Sequence, residues 1–433
     1  MSGLDSIIEM EEDNLPEGWE ERVTPYGKVY YANHLAKMTQ WEHPISGKQK
    51  YLSGELPYGW ERKILDDGTV VFVDEINQKK SYTDPRLAFS KHNSKMQQTT
   101  LFFNENLTAL DLIKNRDLTG FYAIVIGANR GVGYEIVKAL AFQGCYVIMA
   151  CRNLLVSQIA SDSLLREKPG IKIEVLELNL DSLISVKNFA DKILSRNLPL
   201  HMLFLNAAIF ETEHKLSRDN IELMFQVNYL AQFYLARLLM RSLIRTENSR
   251  LVILTCESHR GGNLSRTDIC SSMLNVTKSD FNCLQVYCNT KLCNLLFANE
   301  MNRRLNKNNE LNLICKSCHP GNMLPSKLFW NWLPFRCLSL VTEKFSKSLA
   351  QAAACPVMLA TENFEYFKND KKDSFYWNSS AECNPSEEAC DSVLAYRLWE
   401  ISEAMLIEHT SSFDDYLSQG DQFSSYTKTS NNL

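Results

Sequence analysis

Tyr287 and Lys291 stand four residues apart in a helical stretch, so a phenol and an ammonium share one helix face. That pair suits proton exchange. A tyrosine at its ordinary pKa of ~10 is a poor proton carrier near neutrality, and an adjacent ammonium plus the charge of a bound cofactor lowers it. A second group lies upstream, where the apolar run FYAIVI is followed by GANRGVG and the helical segment YEIVKALAFQG. Gly127, Gly131 and Gly133 let the backbone approach a pyrophosphate held at a helix N-terminus. The next strand-like run ends in Cys-Arg-Asn. An acidic residue there would hold a ribose hydroxyl; Arg152 suits a 2′-phosphate instead, and Arg130 adds a second positive charge. The cofactor these residues fit is NADP(H), in preference to NAD.

Such groups meet only if a scaffold gathers several strand ends. From Asp117 onward, strand runs (FYAIVI, CYVIMA, HMLFLN, LVILTC, LNLICKSC) alternate with helical segments. This is the pattern of an α/β, Rossmann-type doubly wound parallel sheet. An internal repeat precedes it. Trp19 and Trp60 are 41 residues apart, as are Leu15 and Leu56, Pro16 and Pro57, Gly18 and Gly59, and Pro44 and Pro85. Two copies of LPxGWE thus open two small units, each expected to be a three-stranded antiparallel β-sheet. The expected organisation is an acidic tail at 1–12, repeat units at 13–47 and 54–88, and a polar linker with a short helical lead-in at 89–116. The α/β domain then covers 117–410 and a polar, disordered tail 411–433.

Side chains alternate along a strand, so in KVYYANH the residues Tyr30, Ala32 and His34 share a face. Thr39 and Trp41, two apart, also face alike, while Tyr31 turns to the other side with Trp19 and Pro44. Tyr30 and Trp41 would form an aromatic slot for a polyproline-type proline. His34, with Ala32 and Lys37 nearby, would line a pocket for a tyrosine. In these residues the repeats resemble WW domains. The resemblance implies that the first repeat binds partner proteins carrying Pro-Pro-x-Tyr. The second repeat departs where ligand is held: Val71, Glu75, Lys80 and Tyr82 stand at the positions of Tyr30, His34, Thr39 and Trp41. It keeps Trp60, Phe72 and Pro85, so it is expected to fold and to bind proline poorly.

The glycine spacing GxxxGxG, followed in order by LNAA, FQVNYL, YCNTK and HPGNM, resembles the short-chain dehydrogenase/reductase family over about 117–410. The resemblance implies an oxidoreductase with Tyr287 and Lys291 catalytic and Asn228 supporting a proton-relay water. It places Asn129, Val132, Asn179, Asn206, Ala207, Pro320 and Gly321 beside the cofactor, together with Tyr287 and Lys291 themselves and the glycines, Arg130 and Arg152 already named. Cys256 in LVILTCESHR occupies the position of the family's catalytic serine; a thiol is a weak hydrogen-bond donor. Thr255 faces away in a regular strand, and Ser258 would share the Cys256 face if the strand end curls. Asn179 replaces the usual aspartate near the adenine, and Ile126 the usual threonine. These changes bear on turnover more than on NADP binding. Hence two readings stand side by side: an oxidoreductase on a lipid-like alcohol or carbonyl, and an adaptor whose dehydrogenase domain binds NADP but turns over poorly. The combined resemblance adds roles in growth control and apoptosis signalling. Phe329, Trp330, Trp332 and Phe335 would line a lid over an apolar substrate such as a retinoid or steroid, or simply pack a surface helix.

Composition narrows the field. The chain of 433 residues is 45% apolar and 22% charged, the globular average. No stretch reaches the ~20 apolar residues of a spanning helix. The net charge of −5 equals the acidic start (Asp5, Glu9, Glu11, Glu12, Asp13), and the neutral remainder argues against a nucleic-acid partner. That acidic start is neither a signal peptide nor a mitochondrial presequence. Thirteen cysteines, mostly inside apolar runs, fit reduced thiols in a cytoplasmic or nuclear protein; family resemblance adds mitochondria. The one CxxC, Cys315 to Cys318, lies in a strand-like run without a second ligand pair, so no metal is expected.

Overall fold

A computed structural model describes residues 15–16, 18–23, 28–45, 47, 49, 60–64, 70–74, 79–81, 107–306, 312–321, 327–329, 347–362, 375–378 and 381–410. Glu75, Tyr82, Pro85, Trp330, Trp332, Phe335, both expected tails and the linker up to residue 106 lie outside them. The chain divides into two units, 1–102 and 103–433.

In the first unit, β1 (Trp19–Val23), β2 (Val29–Asn33) and β3 (Met38–Gln40) form one antiparallel sheet. A second is formed by β4 (Trp60–Ile64), β5 (Val70–Asp74) and β6 (Lys79–Ser81). The repeat extends to register: Arg22 pairs with Tyr30 and Glu21 with Tyr31, and 41 residues on Lys63 pairs with Val71 and Arg62 with Phe72. Val29 and Tyr31 make the core of the first sheet against Leu15 and Trp19. The turn into β3 is closed by Asn33, whose Oδ1 accepts from the Leu35 and Ala36 N–H groups at 2.9 and 2.8 Å.

The second unit is an eight-stranded sheet in the order β9-β8-β7-β10-β11-β12-β13-β14. Its strands are β7 (Tyr122–Ile126), β8 (Tyr146–Cys151), β9 (Lys172–Glu177), β10 (Met202–Leu205), β11 (Ser249–Leu254), β12 (Leu313–His319), β13 (Tyr376–Asn378) and β14 (Ala381–Glu382). All pair in parallel except β14, the antiparallel edge. Central strands read as unbroken apolar runs because both faces are covered. On one face pack α1 (Ala109–Ile113), α2 (Gly131–Phe142) and α7 (Ala354–Thr361); on the other α4 (Leu183–Leu194), α5 (Ala231–Arg245), α6 (Cys283–Asn306) and α8 (Ser392–His409). Helix α3 (Leu154–Glu167) joins β8 to β9. The winding reverses between β7 and β10, which opens a crevice at their carboxyl ends.

One expectation changes. The helical lead-in is part of the second unit's core rather than of a linker. Thr108 and Asp111 cap α1 reciprocally, and Ala109 and Ile113 are buried in the α2 layer. Cys315 and Cys318 are both buried in β12, but three strand positions apart they enter opposite cores, so the CxxC cannot close on one metal. Among the described residues no helix is long and apolar enough to cross a membrane, and the cysteines are free thiols.

Candidate active site and peptide groove

At the crevice, β7 hands over to α2 through a loop that needs glycine. Gly127 and Gly131 have φ of +70° and +67°. At Gly133 a Cβ would fall 2.6 Å from both Asn206 Nδ2 and the Gly127 carbonyl oxygen. Asn206, just past β10, donates to the Ile126 and Gly127 carbonyls at 2.8 and 3.2 Å. The end of β10, with Ala207, therefore pins the glycine loop of β7. Arg130 is the N-cap of α2 and its side chain forms no capping bond, so the first-turn N–H groups, including that of Val132, face outward for an anion. Arg130 and Arg152 are exposed and form no ion pair among the described residues. Asn179 is buried, and its Oδ1 accepts from the Asp181 N–H at 3.2 Å; the oxygen expected to meet the adenine amino group is already shared with its own turn.

Tyr287 and Lys291 sit on α6, and a wider helical turn packs beside them. Before α5 the chain makes one α turn (Leu223–Phe225) and then a π-helical turn, Gln226–Leu230, with Asn228 at its centre. A π turn leaves carbonyls poorly satisfied. Gln232 Nε2 meets two of them, donating to the Val227 and Asn228 oxygens at 2.9 and 3.1 Å, and ties the turn to the end of β10 through the Ala207 oxygen at 2.8 Å. The Asn228 amide accepts from the Ile209 N–H (2.7 Å) and donates to the Ile209 carbonyl (3.0 Å) and Thr290 Oγ1 (3.3 Å). Thr290 in turn donates to the Tyr287 carbonyl at 2.7 Å.

Tyr287 Oη lies 3.8 Å from Cys256 Sγ, and Lys291 Nζ lies 5.4 Å from the centre of the Tyr287 ring. The strand β11 does end early, and residues 257–261 curl into a 3-10 turn; still, it is Cys256 and not Ser258 that meets the tyrosine. Thr255 also reaches α6, donating to the Lys291 carbonyl at 2.9 Å. His259 fixes the backbone at Cys256. Its Nδ1–H donates to the Cys256 carbonyl at 2.8 Å, while Nε2 accepts from the Ser386 N–H at 3.1 Å. Burial pushes this histidine's pKa down, which keeps it neutral.

The charge balance differs from the expectation. Tyr287 and Lys291 are 3% and 4% exposed. Burial, aided by the neighbouring Cys256, pushes the Tyr287 phenol well above its ordinary range, and burial pushes the Lys291 ammonium down. No lowering by the Lys291 ammonium offsets that burial. Burial thus favours the protonated form of the Tyr287 phenol.

Aromatic rings wall the tyrosine. Phe210 and Phe329 stand 5.6 and 5.1 Å from the Tyr287 ring and 4.7 Å from each other, with Met224 and Val286 in the same cluster. Of the four expected lid residues, Phe329 is the one among the described residues, and it reaches Tyr287. Phe210, Thr290, Gln232 and His259 escape motif reading. Pro320 and Gly321 close β12, Gly321 with φ of +127°.

In the first repeat, Tyr30 and Trp41 meet edge to face with centroids 5.9 Å apart, and Trp41 is 45% exposed. Ala32 and Thr39 pair across β2 and β3 between the slot and His34. His34 Nε2 donates to Glu20 at 2.6 Å, and this bond is the main reason the Glu20 carboxyl sits below its ordinary pKa. Lys37 closes the turn at φ +52°. In the second repeat Val71 is 3% exposed, so the residue at the Tyr30 position is buried.

A doubly wound sheet with a glycine loop, a buried Tyr–Lys pair and a hydrogen-bonded helix asparagine defines a short-chain dehydrogenase, here preceded by a WW sheet. The family model described as short chain dehydrogenase matches residues 122–267, and the WW domain model matches residues 15–44, the first repeat. The chain is 44% identical to the WW domain-containing oxidoreductase of Gallus gallus over 400 residues, 92% of this chain and 95% of that one. To that of Homo sapiens it is 40% identical over 416 residues (95% and 98%), and to that of Drosophila melanogaster 35% over 402 (92% and 96%). An uncharacterized protein from Mycobacterium paratuberculosis has a similar solved structure, with TM-score 0.53, 26% identity, and coverage of 69% of this chain and 97% of its own. The chain belongs to the WW domain-containing oxidoreductases.

Proposed function

We propose that the chain is an NADP-dependent oxidoreductase of apolar alcohols or carbonyls, brought to Pro-Pro-x-Tyr partners by its first WW sheet. It would act as an adaptor in growth control and apoptosis signalling, in the cytoplasm, nucleus or mitochondria. One observation carries the enzymatic part: the Tyr287 phenol, the Cys256 thiol and the buried Lys291 amine converge against Phe210 and Phe329. Lys291 Nζ has no hydrogen-bond acceptor among the described residues, as expected of a group that meets a bound cofactor. Gly127, Asn129, Gly131 and Gly133 with the α2 N-terminus would hold the pyrophosphate, Arg130 and Arg152 the 2′-phosphate, Asn179 the adenine end, and Asn206, Ala207, Pro320, Gly321 and Lys291 the nicotinamide end. When bound, a nicotinamide supplies hydride chemistry. The chain orients the carbonyl between Tyr287 and Cys256, donates a proton from Tyr287 Oη and excludes water with the two phenylalanines. Asn228 would support the water that restores that proton.

NADPH should raise the melting temperature of full-length protein more than NADH does. A ligand at about a hundredfold excess over its dissociation constant stabilises by ~2.7 kcal/mol, which is several degrees. Arg152→Asp should reverse the order, and equal shifts from both cofactors in the wild type would remove the 2′-phosphate assignment.

The second reading, an adaptor with poor turnover, is favoured by Cys256, a weak donor beside Tyr287. On either reading the first repeat holds the peptide. Trp41→Ala should weaken Pro-Pro-x-Tyr peptide binding by ~2 kcal/mol or more, roughly thirtyfold, because the slot needs two rings. Val71 leaves the second sheet without the first ring. Titrating a labelled peptide into each repeat and the tandem decides this, and comparable binding by the second repeat alone defeats it.

A further inference from the structure

On the oxidoreductase reading, on which this inference rests, a thiol stands where the site meets the reacting carbonyl. Cys256 is partly exposed whereas Tyr287 and Lys291 are buried. A carbonyl oxygen hydrogen-bonded by Tyr287 brings its carbon within reach of Sγ, since Sγ is 3.8 Å from the tyrosine oxygen. The walls are apolar rings, Phe210 and Phe329, with Val286 and Met224. The Lys291 amine, lying over the Tyr287 ring without an acceptor among the described residues, marks the same site as one that receives a ligand. His259 and Thr255 clamp the backbone on both sides of the thiol's neighbourhood.

We propose that Cys256 is a nucleophile toward apolar aldehydes, binding them as a hemithioacetal and yielding a thioester and then a carboxylate. In the addition, the Sγ–C bond forms as the carbonyl π bond opens, and the thiol proton ends on the carbonyl oxygen by way of Tyr287. The adduct carbon then loses its hydrogen as hydride to an oxidised nicotinamide and its hydroxyl proton to solvent, leaving a thioester on Cys256. Water adds to that carbonyl, the C–S bond breaks, the thiol regains a proton and a carboxylate departs. The net change is aldehyde, oxidised nicotinamide and water to carboxylate, reduced nicotinamide and two protons. A ketone has no hydrogen on the carbonyl carbon to give up, which restricts this activity to aldehydes.

The test uses reduced full-length protein and decanal. Without cofactor, iodoacetamide labelling is followed by peptide mass mapping, with the exposed Cys270 and Cys390 as internal references. At about ten times its dissociation constant decanal should slow alkylation of Cys256 roughly tenfold and leave the references unchanged. With NADP⁺ added, a decanoyl group on Cys256 that neutral hydroxylamine removes, or decanoate released into solution, should be found, and both should be lost in Cys256→Ser. Unprotected Cys256, acylation at Cys288 instead, or neither acyl product under conditions where NADP⁺ raises the melting temperature would overturn the proposal. If NADP⁺ causes no thermal shift, the cofactor reading fails by itself, and the cofactor-free labelling still decides whether the thiol captures aldehydes.

Discussion

Tyr287→Phe will lower carbonyl or alcohol turnover by ~10²–10⁴-fold, the usual contribution of a positioned general acid. The ring keeps its contacts with Phe210 and Phe329, and the hydroxyl gives up only the 3.8 Å contact with Cys256. Melting temperature and the NADPH-induced shift should therefore stay close to wild type while kcat collapses. Because burial raises the phenol's pKa, the protonated form persists through neutral pH, so wild-type carbonyl reduction should show no loss from tyrosine ionisation between pH 6 and roughly pH 9. Turnover that survives the substitution would mean that another group delivers the proton. A screen of apolar alcohols and carbonyls under NADPH and NADP⁺, run on wild type and variant together, supplies the measurement.

Cys256→Ser should move the same reaction the other way. A hydroxyl at that position donates a stronger hydrogen bond to the developing oxyanion, and one such donor is worth ~3 kcal/mol, or ~10²-fold in rate. Carbonyl reduction should rise by that order, whereas thiol-dependent aldehyde capture should vanish. Opposite signs for two reactions of one variant cannot come from a general loss of folding. If carbonyl turnover stays absent in both forms with NADPH bound, the adaptor reading gains.

What is legible in the sequence is local. Gly127 and Gly131 betray a turn because their left-handed backbone favours glycine, Gly133 because a Cβ there would strike Asn206, and Tyr287 with Lys291 betrays a helix face by spacing alone. The repeat offset of 41 carries over to strand register, since pairing follows side-chain alternation. The rest depends on contacts between distant segments. Phe210 and Phe329 are separated by more than a hundred residues and meet only at Tyr287. The direction of the tyrosine shift runs against the sequence expectation for the same reason: charge is visible in the sequence and burial is not. The start of the second unit is readable in part, because Thr108 and Asp111 are spaced as a reciprocal cap, but a polar stretch around them hides α1. Gln232 gives no signal, as its task exists only once the π turn has formed.

The chain of bonds from Ile209 through Asn228 and Thr290 to the Tyr287 carbonyl acts as a gauge. The distance from the end of β10 to the acid is set by a few short links near the crevice, not by summing the thicknesses of a sheet and two helical layers. Errors made elsewhere in the fold do not accumulate along that line. Asn228→Ala or Thr290→Val would break the gauge at its source.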